Sequence, residues 1–176
     1  DDDAHGSMVL SVIGGNAPGE LIGTAPHASY LLLRSENAPA EAIIEEYNWA
    51  SAAEYADSAG AQILNSSLGY TVFDDPSQNH TYANLDGNTT PITIAADIAS
   101  SKGMVVCNSA GNEGNGSWFH ISAPADADSI LAVGAVDAGG LNVGFSGKGP
   151  SADGRIKPDV SAVGFGTIVA DPWNGT

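Results

Sequence analysis

Positive charge is what this chain has least of. Arg34, Lys102, Lys148, Arg155 and Lys157 are its only cationic side chains besides histidine, against 21 Asp and Glu, so its 176 residues carry a formal net charge of −16. A surface this acidic repels phosphate, which excludes nucleic acid and anionic membranes as partners. It fits a soluble, exported protein, and it speaks to solubility more than to substrate choice. Cysteine is nearly absent. The single Cys107 excludes an internal disulfide framework and any zinc cluster built on thiolates. It sits in the apolar run Met104–Cys107 and reads as a small buried hydrophobe, with no electropositive neighbour in sequence to make it a reactive thiol. No apolar run approaches the length of a membrane span. The chain also begins without an initiator Met, a basic n-region or an apolar h-region, which predicts that it starts inside a longer precursor or has been processed.

What is present points to a folded α/β domain. Apolar residues make up 43% of the chain, enough for a core, and 22 Gly with 9 Pro predict tight turns between short elements. Met8, Val9, Val12 and Ile13 recur at helical spacing between His5 and Ile13, and Gly14-Gly15 stops the run. Asp1, Asp2 and Asp3 lie ahead of it, where carboxylates complement a helix dipole. Ala28 to Leu33 reads as a strand buried on both faces. Residues 40–59 read as a long helix with Ile43, Ile44, Tyr47 and Ala50 on its apolar side. Further strands are expected at 62–66, 104–107 and 130–136, and a helix from Thr90-Pro91 to Lys102, opened by a capping hydroxyl with Pro at the first turn and closed by Gly103. Residues 69–88 read as a polar loop. Strands that are apolar throughout, alternating with helices, predict a three-layer α/β fold: a mostly parallel sheet with helices on both faces and right-handed crossovers. No repeat or linker divides the chain, so residues 1–176 are expected to belong to one domain.

In such sheets function gathers at the carboxyl ends of the strands. Two turns lie there, Ser66-Ser67-Leu68-Gly69 and Ser109-Ala110-Gly111-Asn112. The second is the more informative. A strand-like run, Val105 to Cys107, stops at small residues and then presents the Asn112 carboxamide between glycines. Gly111 allows close approach of a substrate backbone, and the Asn NH2 can donate to developing negative charge, which is how an oxyanion site is built.

Taken in chain order, the blocks His5-Gly6-Ser7-Met8-Val9, Gly23-Thr24-Ala25-Pro26-His27-Ala28, Ile63-Leu64-Asn65-Ser66-Ser67-Leu68-Gly69, Ala110-Gly111-Asn112-Glu113-Gly114, Ala132-Val133-Gly134-Ala135-Val136, Phe145-Ser146 and Lys157-Pro158-Asp159-Val160-Ser161-Ala162 resemble the subtilisin-like serine peptidases, from one end of the chain to the other. The resemblance implies a subtilisin-like domain truncated at both ends, with residues 1–176 as its central part. It implies acyl transfer, with a serine attacking a peptide carbonyl, a histidine taking its proton and a carboxylate holding the histidine. Carried over residue by residue, His5 is the general base and Asn112 the oxyanion donor. Ser67, Leu68 and Gly69 would pair with an extended substrate and, with Ser109, Ala110 and Gly111, wall the slot for the side chain before the scissile bond. Small residues on both walls suggest a slot open to a sizeable side chain.

Two family features are missing. The Asp-Thr/Ser-Gly turn that carries the catalytic Asp does not occur, and Asp1, Asp2 and Asp3 read as dipole partners or surface rather than as substitutes. The Gly-Thr-Ser-x-Ala nucleophile block does not occur either, the chain ending at Asn174-Gly175-Thr176. Gly144-Phe145-Ser146-Gly147-Lys148 fails as a nucleophile elbow because Lys148 stands where a Gly is needed, so Ser146 reads as structural. The chain by itself is therefore expected to be inactive, and exposed sheet surface is expected to make it self-associate.

His27, His80 and His120 lack ligand spacing and read as surface or structural. The chemistry requires no cofactor. Structural calcium is possible at Asp74, Asp75 and Asp86, although their spacing reads first as a solvated loop. The sequons at Asn79, Asn88, Asn115 and Asn174 arise easily in such loops and carry no weight. The expectation is part of a secreted serine endopeptidase acting on polypeptides. The competing class is a pseudoprotease or peptide-binding domain that keeps the groove without catalysis. An unrelated nucleotide-binding α/β domain is disfavoured, because Gly164-Phe165-Gly166-Thr167-Ile168-Val169 lacks the third Gly of a dinucleotide fingerprint and no Gly-Lys-Ser/Thr is present.

Overall fold

The computed structural model describes residues 2–37 and 39–172, with the side chains of Asp2 and Asp3 outside that description. The dipole role expected of Asp1, Asp2 and Asp3 and the Asn174-Gly175-Thr176 terminus therefore lie outside the described residues. The chain forms two compact units, one of residues 1–32 with 166–176 and one of residues 33–165.

In the first unit, helix α1 (Asp2–Gly14) begins earlier than its apolar spacing suggested and ends at the expected glycines. Its last carbonyls are met by the returning chain: Gly15 N donates to Ser11 O, Thr24 N to Val12 O and Ala25 N to Ile13 O, at 2.7–3.1 Å. Gly23 must be glycine, since a Cβ there would run into the main chain of Ile13. Between them a short hairpin, β1 (Asn16–Ala17) and β2 (Leu21–Ile22), turns at Gly19, whose φ is +89°.

The second unit carries the α/β fold that the alternation predicted. Helix α2 (Ile44–Ser58) leads to β3 (Ile63–Ser66), and α3 (Pro91–Ser101) to β4 (Val105–Ser109). β5 (Leu131–Val136) and β6 (Val160–Val163) complete a four-stranded parallel sheet in the order β3-β4-β5-β6. The cap read at Thr90 is present: its side chain accepts from Thr93 N at 3.3 Å, and Pro91 occupies the first turn. Gly103, at φ +101°, turns the chain from α3 into β4. One side of the sheet, including Val106 and Ala132, joins Trp49 and Ala53 of α2 and Ile92 and Ala96 of α3 in the core. The residues between them, such as Ile63, Val105 and Leu131, are apolar but exposed, Ile63 by 66%.

Three expectations are corrected. Ala28–Leu33 forms no strand, and Leu32 is 71% exposed. An apolar run becomes a strand only where a neighbour completes its ladder, and apolarity names no neighbour. Helix α2 starts at Ile44 rather than at residue 40 and buries a different face: Ile44 and Tyr47 are 58% and 53% exposed, while Glu45, Glu46, Trp49, Ala53 and Ala56 point inward. Tertiary hydrogen bonds explain the rotation. Glu45 accepts from Asn37 N (2.6 Å) and Ala42 N (3.0 Å), and Glu46 from Ile92 N (3.1 Å) with His80 Nε2 at 2.5 Å. Cys107 is half-buried rather than buried, though burial still pushes its thiol up, away from reactivity.

Candidate active site

The parallel pairing of β3 and β4, with Ser66 opposite Asn108, sends both strands out of the sheet at the same end. The turns that follow are Ser67-Leu68-Gly69 and Ala110-Gly111-Asn112, and they lie side by side. Asn108, which is fully buried, joins them by donating from Nδ2 to Leu68 O (3.1 Å) and to Ser109 O (2.8 Å). A second brace comes from further along the chain. Ser122 N donates to Ala110 O at 3.3 Å, while Ala123 and Tyr70 exchange main-chain hydrogen bonds at 2.9 and 3.2 Å. The segment around Ser122 is therefore stitched to both turns at once.

Gly111 adopts φ +92°, the left-handed conformation that turns the chain sharply out of β4 and leaves Asn112 exposed. The Asn112 main-chain N–H donates to Glu113 Oε2 at 2.8 Å, which holds the turn while the carboxamide stays at the surface. Gly114 is seated against the main chain of Ser146, too close for any Cβ, and its N–H donates to Phe145 O at 2.8 Å. Lys148 closes the loop by donating to Gly114 O at 2.8 Å, with its ammonium 4.6 Å from the centre of the Phe119 ring. Phe119 itself has φ +68°, a strained value for a non-glycine residue. Asn112 is thus fixed from both sides by a glycine that only glycine can replace.

The structure brings together Ser67, Leu68, Gly69, Ser109, Ala110, Gly111 and Asn112. His5 lies exposed in the first turn of α1, in the other compact unit. Sequence reasoning missed Ser122. Its side chain packs against Gly69 and against Gly111, so the space read as an open slot between small walls holds a buried hydroxyl without a hydrogen-bond partner. Nothing local marks Ser122, because it reaches the site only through pairing with Ala110. Asn108 was within reach of sequence reading, as a lone carboxamide at the end of an apolar strand.

The remaining candidates have structural work. Ser146 is buried and accepts from Ala135 N at 3.0 Å. Lys157 pairs with Asp159 at 2.8 Å, and Asp159 accepts from Ala132 N, tying β6 to β5. His80 bonds Glu46 and packs edge-on against Phe73, while His120 stacks on Tyr82 with ring centres 3.9 Å apart. The acids weighed for calcium all accept hydrogen bonds from the protein. Asp75 caps Ser77 N and Asp86 accepts from Asn88 N and Thr89 Oγ1, each within its own turn, while Asp74 reaches across the chain to accept from Glu41 N. Among the described residues no three His, Cys, Asp or Glu side chains converge as a ligand set.

The model of the Subtilase family (peptidase S8) matches residues 1–175. The chain is similar to a thermophilic serine proteinase of Bacillus sp. (strain AK1), 31% identical over 162 residues that cover 90% of this chain and 35% of that protein. It is also similar to subtilisin DY of Bacillus licheniformis, 32% identical over 152 residues that cover 85% of this chain and 49% of that protein. Among solved structures, the prenylagaramide maturation protease PagA superposes with a TM-score of 0.67 at 25% identity, covering 98% of this chain and 56% of that one. The PatG macrocyclase in complex with peptide superposes with a TM-score of 0.74 at 22% identity, covering 97% of this chain and 45% of that one, a likeness of fold. The chain spans between about a third and a half of those two Bacillus relatives.

Proposed function

The chain belongs to the subtilase family, and from that premise we propose that it is the central part of a secreted serine endopeptidase, with Asn112 as oxyanion donor and His5 as general base. The observation that carries the reading is the mounting of Asn112. It is an exposed carboxamide on a turn locked by Gly111 and Gly114, beside the exposed edge at Gly69. A donor carried on a backbone that is held before reaction has less to reorganise as charge develops, which is what makes such a group effective.

In the proposed reaction a peptide lies along Ser67–Gly69 with its scissile carbonyl oxygen at the Asn112 NH2. A serine hydroxyl attacks the carbonyl carbon and its proton passes to His5. The carbonyl electron pair moves onto oxygen, where Asn112 donates to it. Collapse of the tetrahedral adduct expels the amine, which takes the proton back from His5, and water repeats the sequence to free the acid. The 176 residues contain neither the nucleophile block nor the aspartate block. We therefore assign both to sequence outside the chain and expect the chain alone to be inactive. Family membership supports a polypeptide substrate, and the acidic surface fits an exported, soluble protein.

The test uses a fluorophosphonate probe on the isolated chain and on the full-length protein that contains it. Labelling of the full-length protein alone, abolished by His5→Ala, is the expected outcome. Asn112→Ala should lower kcat by about 10²–10³ with little change in KM, a range that comes from subtilisin itself. A full-length protein that binds peptide but neither labels nor hydrolyses would show the domain to be a pseudoprotease. Stoichiometric labelling of the isolated chain would overturn the division of residues proposed here.

A further inference from the structure

Residues 33–37 and 39–43 enter α2 without helix or strand, so their backbone amides need partners from elsewhere. Carboxylates supply them. Glu45 Oε1 accepts from Asn37 N at 2.6 Å and Glu45 Oε2 from Ala42 N at 3.0 Å. Asp74 Oδ2 accepts from Glu41 N at 3.2 Å, and Asp74 N returns a hydrogen bond to Glu41 O at 2.9 Å. The Tyr70 hydroxyl donates to Glu36 Oε1, and Ile43 N donates to Gln78 Oε1 at 3.0 Å. An irregular segment is thus pinned to α2 and to the 70–80 loop by acids brought together from three parts of the chain.

We propose that Glu36, Glu41, Glu45 and Asp74 form a proton-dependent latch that holds the entry segment of α2 against the 70–80 loop, closed in mildly acidic solution and loosened as pH rises. Gathering four carboxylates in one place grows costlier as the last of them ionises, so the Glu41 carboxyl beside Glu36, Glu45 and Asp74 favours its proton. The charged groups whose fields act on Glu41 are Glu36, Glu45 and Asp74, all acids. Around them stand the Tyr70 phenol, whose ionisation burial and Glu36 oppose, Arg34, whose Nε donates to Glu36 O, and Asp75, which caps the 76–78 turn. The His80–Glu46 pair lies next along α2.

Glu41 is the member that titrates within reach. Burial, then Glu36, Glu45 and Asp74, push its carboxyl from 4.5 up to about 7. In the closed form it keeps its proton to about pH 7, whereas in a released segment it loses it near pH 4.5. Opening therefore releases a proton. The latch is fully favoured below that window, weakens as pH climbs through it, and changes no further above it. Because the segment precedes α2 and Tyr70 directly follows Gly69, loosening would free one border of the Ser67–Gly69 edge. The latch does not depend on the peptidase reading, since it is measured without substrate.

The experiment is amide hydrogen exchange on the full chain at about pH 5 and about pH 8, corrected for intrinsic rates, following Asn37, Glu41, Ala42 and Ile43. Protection at these amides should fall about tenfold at the higher pH, a modest share of the full shift because Glu41 is partly solvated. The amides of Ala132 and Val133 in β5 should not follow. Glu41→Gln should remove the pH dependence and Asp74→Asn should reduce it. Equal protection at both pH values, loosening spread equally into β5, or an undiminished dependence in Glu41→Gln would overturn the proposal. Should Glu41→Gln fail to fold, as judged by near-UV circular dichroism, carbon NMR titration of Glu41 in the unmodified chain decides. A midpoint near 7 supports the latch and one near 4.5 overturns it.

Discussion

Replacing Glu46 by Ala tests the most consequential correction to the sequence reading, the inward face of α2. Glu46 is fully buried, with Oε1 2.5 Å from His80 Nε2 and Oε2 accepting from Ile92 N at 3.1 Å. Ile92 lies in the first turn of α3, so the carboxylate of one helix satisfies an orphan amide of the next and complements its dipole. Truncation leaves Ile92 N–H unpaired in the core, a loss of about 1–3 kcal/mol. It also removes the partner of His80, whose side chain is itself only 10% exposed. Losing that partner leaves a His80 ring nitrogen without its hydrogen bond, a further cost of about 1–2 kcal/mol. A net loss of about 3 kcal/mol is expected, corresponding to a fall in Tm of roughly 6–12 °C for a chain of this size. Glu46→Gln keeps an acceptor for Ile92 and should lose about half as much. Urea unfolding followed by tryptophan fluorescence measures both, and a cycle with His80→Ala should return a coupling of about 1–3 kcal/mol. A loss below about 1 kcal/mol for Glu46→Ala, or a coupling near zero, would refute the claim that this carboxylate organises the two helices.

Gly114→Ala should destabilise by about 2 kcal/mol or more, because its Cβ would meet the Ser146 carbonyl. Gly116→Ala, where the nearest neighbour is Glu113 O at 3.4 Å, is the tolerated control in the same thermal melt. Trp49→Phe keeps an aromatic ring in the core but removes the donor that reaches Ser66 Oγ at 3.0 Å. A loss of about 1 kcal/mol in urea is expected, and none at all would show that bond to be incidental.

Local features of the chain are legible in the sequence, because the residues that encode them also carry them out. Thr90-Pro91 caps α3, Gly103 ends its reach, and Gly14-Gly15 stops α1, as their side chains or lack of them require. The alternation of apolar runs with helical spacing likewise foretold a parallel α/β sheet, and the small residues after β3 and β4 foretold where its turns would meet. Partnership was not legible. Glu45 and Glu46 are polar by any sequence scale, yet they lie inward because Asn37, Ala42, His80 and Ile92 reach them from distant positions. Ala28–Leu33 is apolar enough for a strand but has no ladder to join, whereas Val160–Val163 becomes one because β5 lies alongside it. Ser122 enters the slot only through its pairing with Ala110. Propensity and spacing act within a few residues along the chain. Hydrogen-bond satisfaction and burial are settled by whatever the fold brings near, and that decided which side chains face the core and which surround Asn112.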